Sequence, residues 1–279
     1  MKRGLIMEGG GLRGVFTCGV LDVFLEKHID FDGAAGISAG ATFGCNFKSK
    51  QIGRAIRYNK KYCRDPRYCS IRSLVKTGDM FGVDFCYHEL PDRLDPFDRT
   101  TFRDNPMEFY VGATNVETGQ AVFHQCSDGG DVDIEWMRAS ASIPLVSRPV
   151  QIGKYTLLDG GIVCPVPFRF MEKKGYDRNV IILTQPKGYT KEPGSPIIQV
   201  LLRKYPAIAE ALAVRHIRYN RQMEQIEERE HTGGTIVIRP PEALGISRTE
   251  KDPAQLERVY QIGRSVAEDM VDQIRRFLA

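Results

Sequence analysis

No stretch of this 279-residue chain approaches the roughly 18 consecutive apolar residues of a membrane-spanning helix. The apolar run nearest the N-terminus, residues 4–7, is too short for the core of a secretory leader. Cysteines number seven, an odd count without a C-x-x-C pair, which argues for reduced thiols and a cytoplasmic location, peripheral to a membrane at most. Cys63, Cys69, Cys86 and His88 lie close in sequence, but their spacing fits no standard zinc pattern, so no metal is expected. Dense Lys/Arg stripes and basic–aromatic interleaving are missing and net charge is only +4, so a nucleic-acid partner is not expected. An anionic lipid surface remains compatible with that charge, as a transient contact. Repeats, low-complexity tracts and linker-like stretches are also missing. With 42% hydrophobic and 27% charged residues, neither disorder nor a membrane class is favoured. The expectation is one domain over 1–279, its motifs in about 4–190, followed by a helical part with one late strand, about 191–279.

What is present is periodic. Residues 2–7 read as a strand, followed by a glycine loop and a helix marked by Phe16, Val20, Val23 and Phe24. Residues 33–38 form a second short apolar segment leading into another helix, and 51–105 resolve only into helices and loops. Residues 108–125 alternate around a Glu-Thr-Gly turn as a hairpin. IEWMRASASIP then reads as helix up to Pro144, and a strand pair around Gly153 ends at Asp159. Residues 179–186 look like a strand covered on both faces. An amphipathic helix over 206–230, a late strand TIVIRPP and a last helix opened by Asp252-Pro253 complete the chain. This alternation predicts an α/β fold: a three-layer α/β/α sandwich around a mixed, mostly parallel sheet.

Three glycine-marked stretches carry the chemistry. GGGLRG, residues 9–14, fits G-x-G-x-x-G, which suggests a dinucleotide site only if an acid ends the next strand. Asp30 and Asp32 instead precede that strand. GISAG, residues 36–40, fits G-x-S-x-G between strand and helix, the context that exposes a serine hydroxyl, here Ser38, on a sharp turn flanked by Gly36 and Gly40. Taken alone it could equally be a glycine turn with a capping serine. If Ser38 attacks a carbonyl, the amides of Gly9, Gly10 and Gly11 are the expected oxyanion donors. Leu12 and Gly14 complete the loop, and Arg13 would hold it or meet a phosphate. None of the five histidines looks like the base: His28 and His231 close helices, His124 ends a hairpin strand, and His216 lies on an apolar helix face, where a packed core role is expected. Asp159, with Gly160 and Gly161 letting the chain turn away, could expose a carboxylate, although D-G-G by itself is more often a plain turn. As a base for serine it would need a raised pKa.

Together, GGGLRG, GISAG and DGG resemble the patatin-like phospholipase family in order and spacing. ATNVETGQAVF and ASASIP resemble that family's hairpin and the segment before its aspartate. The resemblance implies a Ser38–Asp159 dyad without histidine, an oxyanion loop at residues 9–14, no cofactor, and hydrolysis of lipid acyl esters through an acyl-enzyme. Cys164 departs from the polar residue common at its position in the family, which bears on substrate detail. A non-catalytic lipid-binding or regulatory module of the same fold is the alternative, and a dinucleotide enzyme a more distant one.

Overall fold

A computed structural model describes residues 1–279. Strand β1 (Lys2–Met7) leads through a 3-10 turn into helix α1 (Val15–Glu26), and β2 (Gly33–Ile37) into α2 (Ala39–Lys48). The stretch that sequence left as helices and loops contains α3 (Arg54–Tyr62), α4 (Ile71–Thr77), a π-helical segment Phe85–Leu94 and α5 (Arg99–Asp104). The hairpin is β3 (Glu108–Asn115) with β4 (Ala121–Cys126), followed by α6 (Asp131–Ser140) and the strand pair β5 (Val150–Ile152) and β6 (Tyr155–Asp159). Next come α7 (Phe168–Lys173), β7 (Tyr176–Ile182), α8 (Ile197–Leu201), α9 (Pro206–Ala213), α10 (Arg215–His231), β8 (Thr235–Ile238) and α11 (Pro253–Leu278).

The eight strands form one mixed sheet in the order β5-β6-β3-β2-β1-β7-β8, with β4 also paired to β3. Strands β3, β2, β1, β7 and β8 run parallel, and β4, β5 and β6 supply the antiparallel pairings. Alternation along β1 divides the interior: Leu5 and Met7 face a large core built with Phe16, Phe24 and Ile274, from α1 and α11. Ile6 faces a smaller core with Phe168, Met171 and Ile226, from α7 and α10. Burial of successive residues on opposite faces is what makes the architecture three-layered, as the sequence predicts.

Several boundaries differ from the sequence reading, among them the end of the late strand TIVIRPP, which stops at Ile238. The helix expected over 206–230 breaks at Val214, because Ile208 and Ala211 of α9 pack with Leu158 and Ile162 while Ile226 of α10 packs under the sheet. A straight helix cannot bury both faces in these two cores. Helix α6 stops at Ser140, short of Pro144, where the Ser142 hydroxyl and amide donate to the last-turn carbonyls of Arg138 and Ala139, and the Ser142 carbonyl turns to accept the Asp159 amide. Strand β7 begins at Tyr176 and ends at Ile182, ahead of the expected limit at 186. No helix is long and apolar enough to cross a membrane.

Candidate active site

The register of β3 brings the two distant motifs together. Ile37, last residue of β2, pairs with Gly112, and Asp159, last residue of β6, pairs with the next residue, Ala113. Because β2 is parallel to β3 and β6 antiparallel, the two strands run toward each other along one edge and end on neighbouring rungs. Ser38 and Asp159 therefore line the same pocket.

Ser38 is 7% exposed and has φ +55° and ψ −121°, a region that non-glycine residues rarely occupy. Its surroundings hold it there. The Ser38 N–H donates to Ser140 Oγ at 2.8 Å, that hydroxyl donates to Gly112 O at 2.6 Å, and the Ser38 carbonyl accepts the Ala41 and Thr42 amides of α2. Small residues are required where the chain turns: a Cβ on Gly40 would lie 2.4 Å from Met7 O, and one on Gly9 would lie 2.9 Å from Ser38 Cβ. The glycine loop thus lies directly against the serine.

Glu8 and Leu12 frame that loop with paired amides, to Ile182 O and Arg248 O, each at 3.0 Å. Between them the Gly9, Gly10 and Gly11 amides donate to no group within the chain, and all three residues line the pocket. Ser38 stands at the start of α2, so the positive end of that helix also faces this volume.

Asp159 is 7% exposed and clamped at its backbone: its N–H donates to Ser142 O and its carbonyl accepts Thr114 Oγ1, both at 2.8 Å. Oδ1 accepts the Gly161 N–H at 2.7 Å. Burial raises its pKa above 3.8, outweighing the opposing pull of the Ser38 hydroxyl, Arg215, the Gly161 amide and Arg248. Gly160 turns the chain beneath it, with no room for a Cβ against Gly112 O.

Two cavities meet at this point. One is mainly apolar and includes Phe43, Tyr58, Phe81, Leu90, Phe97 and Met137. The other is polar, with Glu8, Arg13, Asp159, Lys191, Arg215 and Arg248. Gly11, Ser38 and Ile143 line both.

A family model described as "Patatin-like phospholipase" matches residues 5–171, which include all three glycine-marked motifs. The chain belongs to the patatin-like phospholipase family. A second model, "Domain of unknown function (DUF6363)", matches residues 205–279. The uncharacterized protein YjjU of Escherichia coli is 29% identical over 188 residues, covering 65% of this chain and 52% of its own. Lysophospholipase NTE1 of Coccidioides immitis is 24% identical over 293 aligned positions, covering 98% of this chain and 18% of its own. The chain thus spans about half the length of the bacterial relative and under a fifth of the fungal one. Among solved structures, VipD from Legionella pneumophila matches with a TM-score of 0.47 and 14% identity, over 98% of this chain and 67% of its own.

Within this patatin-like site, no histidine lines the polar pocket. His216 departs from the packed core role expected of it: it is half-buried, and Nδ1 has no hydrogen-bond partner. Asp32 pairs with Arg3 at the opposite end of β1, away from the glycine loop. Cys63, Cys69, Cys86 and His88 do not gather as a ligand set. His124, Cys126 and Asp133 do approach one another, but Asp133 Oδ2 accepts three amides, from Ser127, Asp128 and Gly129, and Oδ1 lies 2.7 Å from His124 Nε2, leaving that carboxylate committed. Cys164 lies outside both cavities.

Residues that sequence reasoning missed come from segments distant along the chain. Ser140 supports the Ser38 amide, and Arg215 Nε donates to Gly161 O at 2.6 Å from the first turn of α10. Glu8 Oε2 accepts the Thr184 amide and hydroxyl, while Oε1 accepts the Tyr219 hydroxyl, tying the start of the glycine loop to the segment after β7 and to α10. Only Glu8, directly before the glycines, carried a local signal.

Proposed function

We propose that this protein hydrolyses lipid acyl esters, with Ser38 as nucleophile and Asp159 as general base. The observation that carries the reading is the position of Ser38 where an apolar and a polar cavity meet, beside a carboxylate and three unpaired amides. The apolar cavity suits an acyl chain and the polar one the alcohol portion. Asp159, with Oδ1 held by Gly161, takes the Ser38 proton as Oγ attacks the ester carbonyl. Negative charge on the carbonyl oxygen is met by the Gly9–Gly11 amides, oriented before reaction begins. Asp159 returns the proton to the leaving alcohol, then activates water to cleave the acyl-serine. The printed names of the fungal relatives, lysophospholipases, support a lipid ester as substrate.

We also infer that residues 1–279 fold as one unit, because β8 extends the sheet and α11 packs on α1. Contact with a membrane surface would be peripheral and transient.

Turnover of p-nitrophenyl acyl esters tests the reading. Ser38→Ala and Asp159→Asn should each lower kcat by at least about a thousandfold, as removal of a nucleophile or its base does elsewhere. Fluorophosphonate labelling should modify Ser38. Undiminished turnover in either variant ends the dyad assignment, and an unlabelled, inactive wild type favours a lipid-binding module instead.

A further inference from the structure

The polar cavity contains more positive charge than its acids balance. Arg13, Lys191, Arg215 and Arg248 line it together with Glu8 and Asp159. None of the four cations lies within ion-pairing distance of a carboxylate. Glu8 is already committed through both oxygens to Thr184 and Tyr219. Arg13 Nε is buried without a hydrogen-bond partner, and Arg215 uses Nε on a backbone carbonyl. Burial, with the repulsion of Arg215, Arg248 and Arg13, pulls the Lys191 ammonium down to about 8. Cations gathered in this way are stabilised by an anion that enters among them.

The same cavity is poorly suited to a head group carrying its own cation. Its acids are engaged with the protein. The Lys191 ammonium already lies over the Tyr219 and Tyr189 rings, 4.5 and 5.7 Å from their centroids, so those faces offer no free cage for a quaternary ammonium. Lys191 comes from the segment after β7, Arg215 from α10 and Arg248 from the segment before α11, all outside the 5–171 match.

We propose that Lys191, Arg215 and Arg248, with Arg13, form a head-group subsite that selects acyl esters bearing an anionic phosphate with no compensating cation. The proposal rests on the ester-hydrolase reading for its substrate, and gives the segment downstream of the family match a part in specificity. A single-tailed phosphate ester would lay its chain in the apolar cavity, its ester at Ser38 and its phosphate among the four cations.

Two measurements test it. The first compares kcat/KM for lysophosphatidic acid, lysophosphatidylcholine and monoacylglycerol of one chain length, below their aggregation thresholds. Wild type should prefer lysophosphatidic acid over both others by at least about tenfold, the worth of one charge-assisted contact. In Lys191→Met/Arg248→Met that preference should fall by at least about tenfold, and Lys191→Arg should keep it; equal preference in wild type and the double variant overturns the proposal. The second is calorimetric titration of Ser38→Ala with lysophosphatidic acid and with inorganic phosphate. Binding should weaken at least about tenfold when Lys191→Met and Arg248→Met are added, with phosphate alone binding more weakly than the lipid. Equal binding with and without those changes, or phosphate matching the lipid, overturns the head-group assignment. A wild type that turns over no ester would defeat the hydrolase reading, and the titration would still decide the subsite.

Discussion

Replacing Ser140 with alanine removes a single oxygen that neither touches substrate nor titrates, yet the structure gives it a large effect. Ser140 is fully buried, and its hydroxyl is both the acceptor for the Ser38 N–H at 2.8 Å and a donor to Gly112 O at 2.6 Å. Ser140→Ala therefore leaves one buried amide and one buried carbonyl without these partners, each costing about 1–3 kcal/mol. Partial relaxation and water entry reduce the sum, so a loss of about 2–4 kcal/mol is expected. At roughly 2 °C per kcal/mol for a chain of this size, the Tm should drop by about 4–8 °C. The bond also helps to hold Ser38 at φ +55°, so relaxation there should lower kcat for a p-nitrophenyl ester more than it changes KM. Urea denaturation gives the stability change, and amide exchange at residue 38 gives the local one. A stability change below about 0.5 kcal/mol, with unaltered protection of the Ser38 amide, would refute the reasoning.

Three other outcomes follow from buried groups. Burial raises the Asp159 pKa, and a base must be ionised, so the acid limb of kcat/KM should lie above pH 3.8, with activity lost as pH falls through it; a limb at or below 3.8 contradicts the assignment. Asp22 is buried between α1, α3 and α11, accepts Gly53 N–H and Tyr260 Oη, and has a pKa raised by burial to about 6. Its folded state therefore binds the proton more tightly than the unfolded chain, and stability present below pH 3.8 is lost as pH rises through 6. Asp22→Asn, which does not titrate, should gain up to about 3 kcal/mol relative to wild type between pH 4 and 7 in urea midpoints, and a pH-independent difference would refute this. Gly40→Ala would set a Cβ 2.4 Å from Met7 O, backbone that cannot yield cheaply, so at least about 2 kcal/mol should be lost, visible as a lower Tm and soluble yield; a neutral substitution would mean the β1–α2 contact is looser than the geometry indicates.

Local sequence carried most of the elements because local physics sets them. Strand β1 is legible as a short apolar run before glycine, α11 from Asp252-Pro253 and its periodic apolar face, and the hairpin from alternation around a turn. The middle of the chain was not legible: α4 has no buried residue, and the π-helical segment contains Pro91, so neither shows a clean apolar period. The break at Val214 was invisible as well, since α9 and α10 both continue a helical pattern and only the two cores they meet differ.

At the site, GGGLRG, GISAG and DGG identified themselves because tight turns impose small residues, and such constraints are written within a few positions of one another. What the sequence determined by itself was therefore the family, the layered fold and three backbone turns. Tertiary structure decided that β2 and β6 end on adjacent rungs of β3, that Ser140 supports the Ser38 amide, and that Lys191, Arg215 and Arg248 converge on one cavity. Strand register and the packing of remote loops depend on contacts across the whole chain, and no local pattern of residue types encodes them.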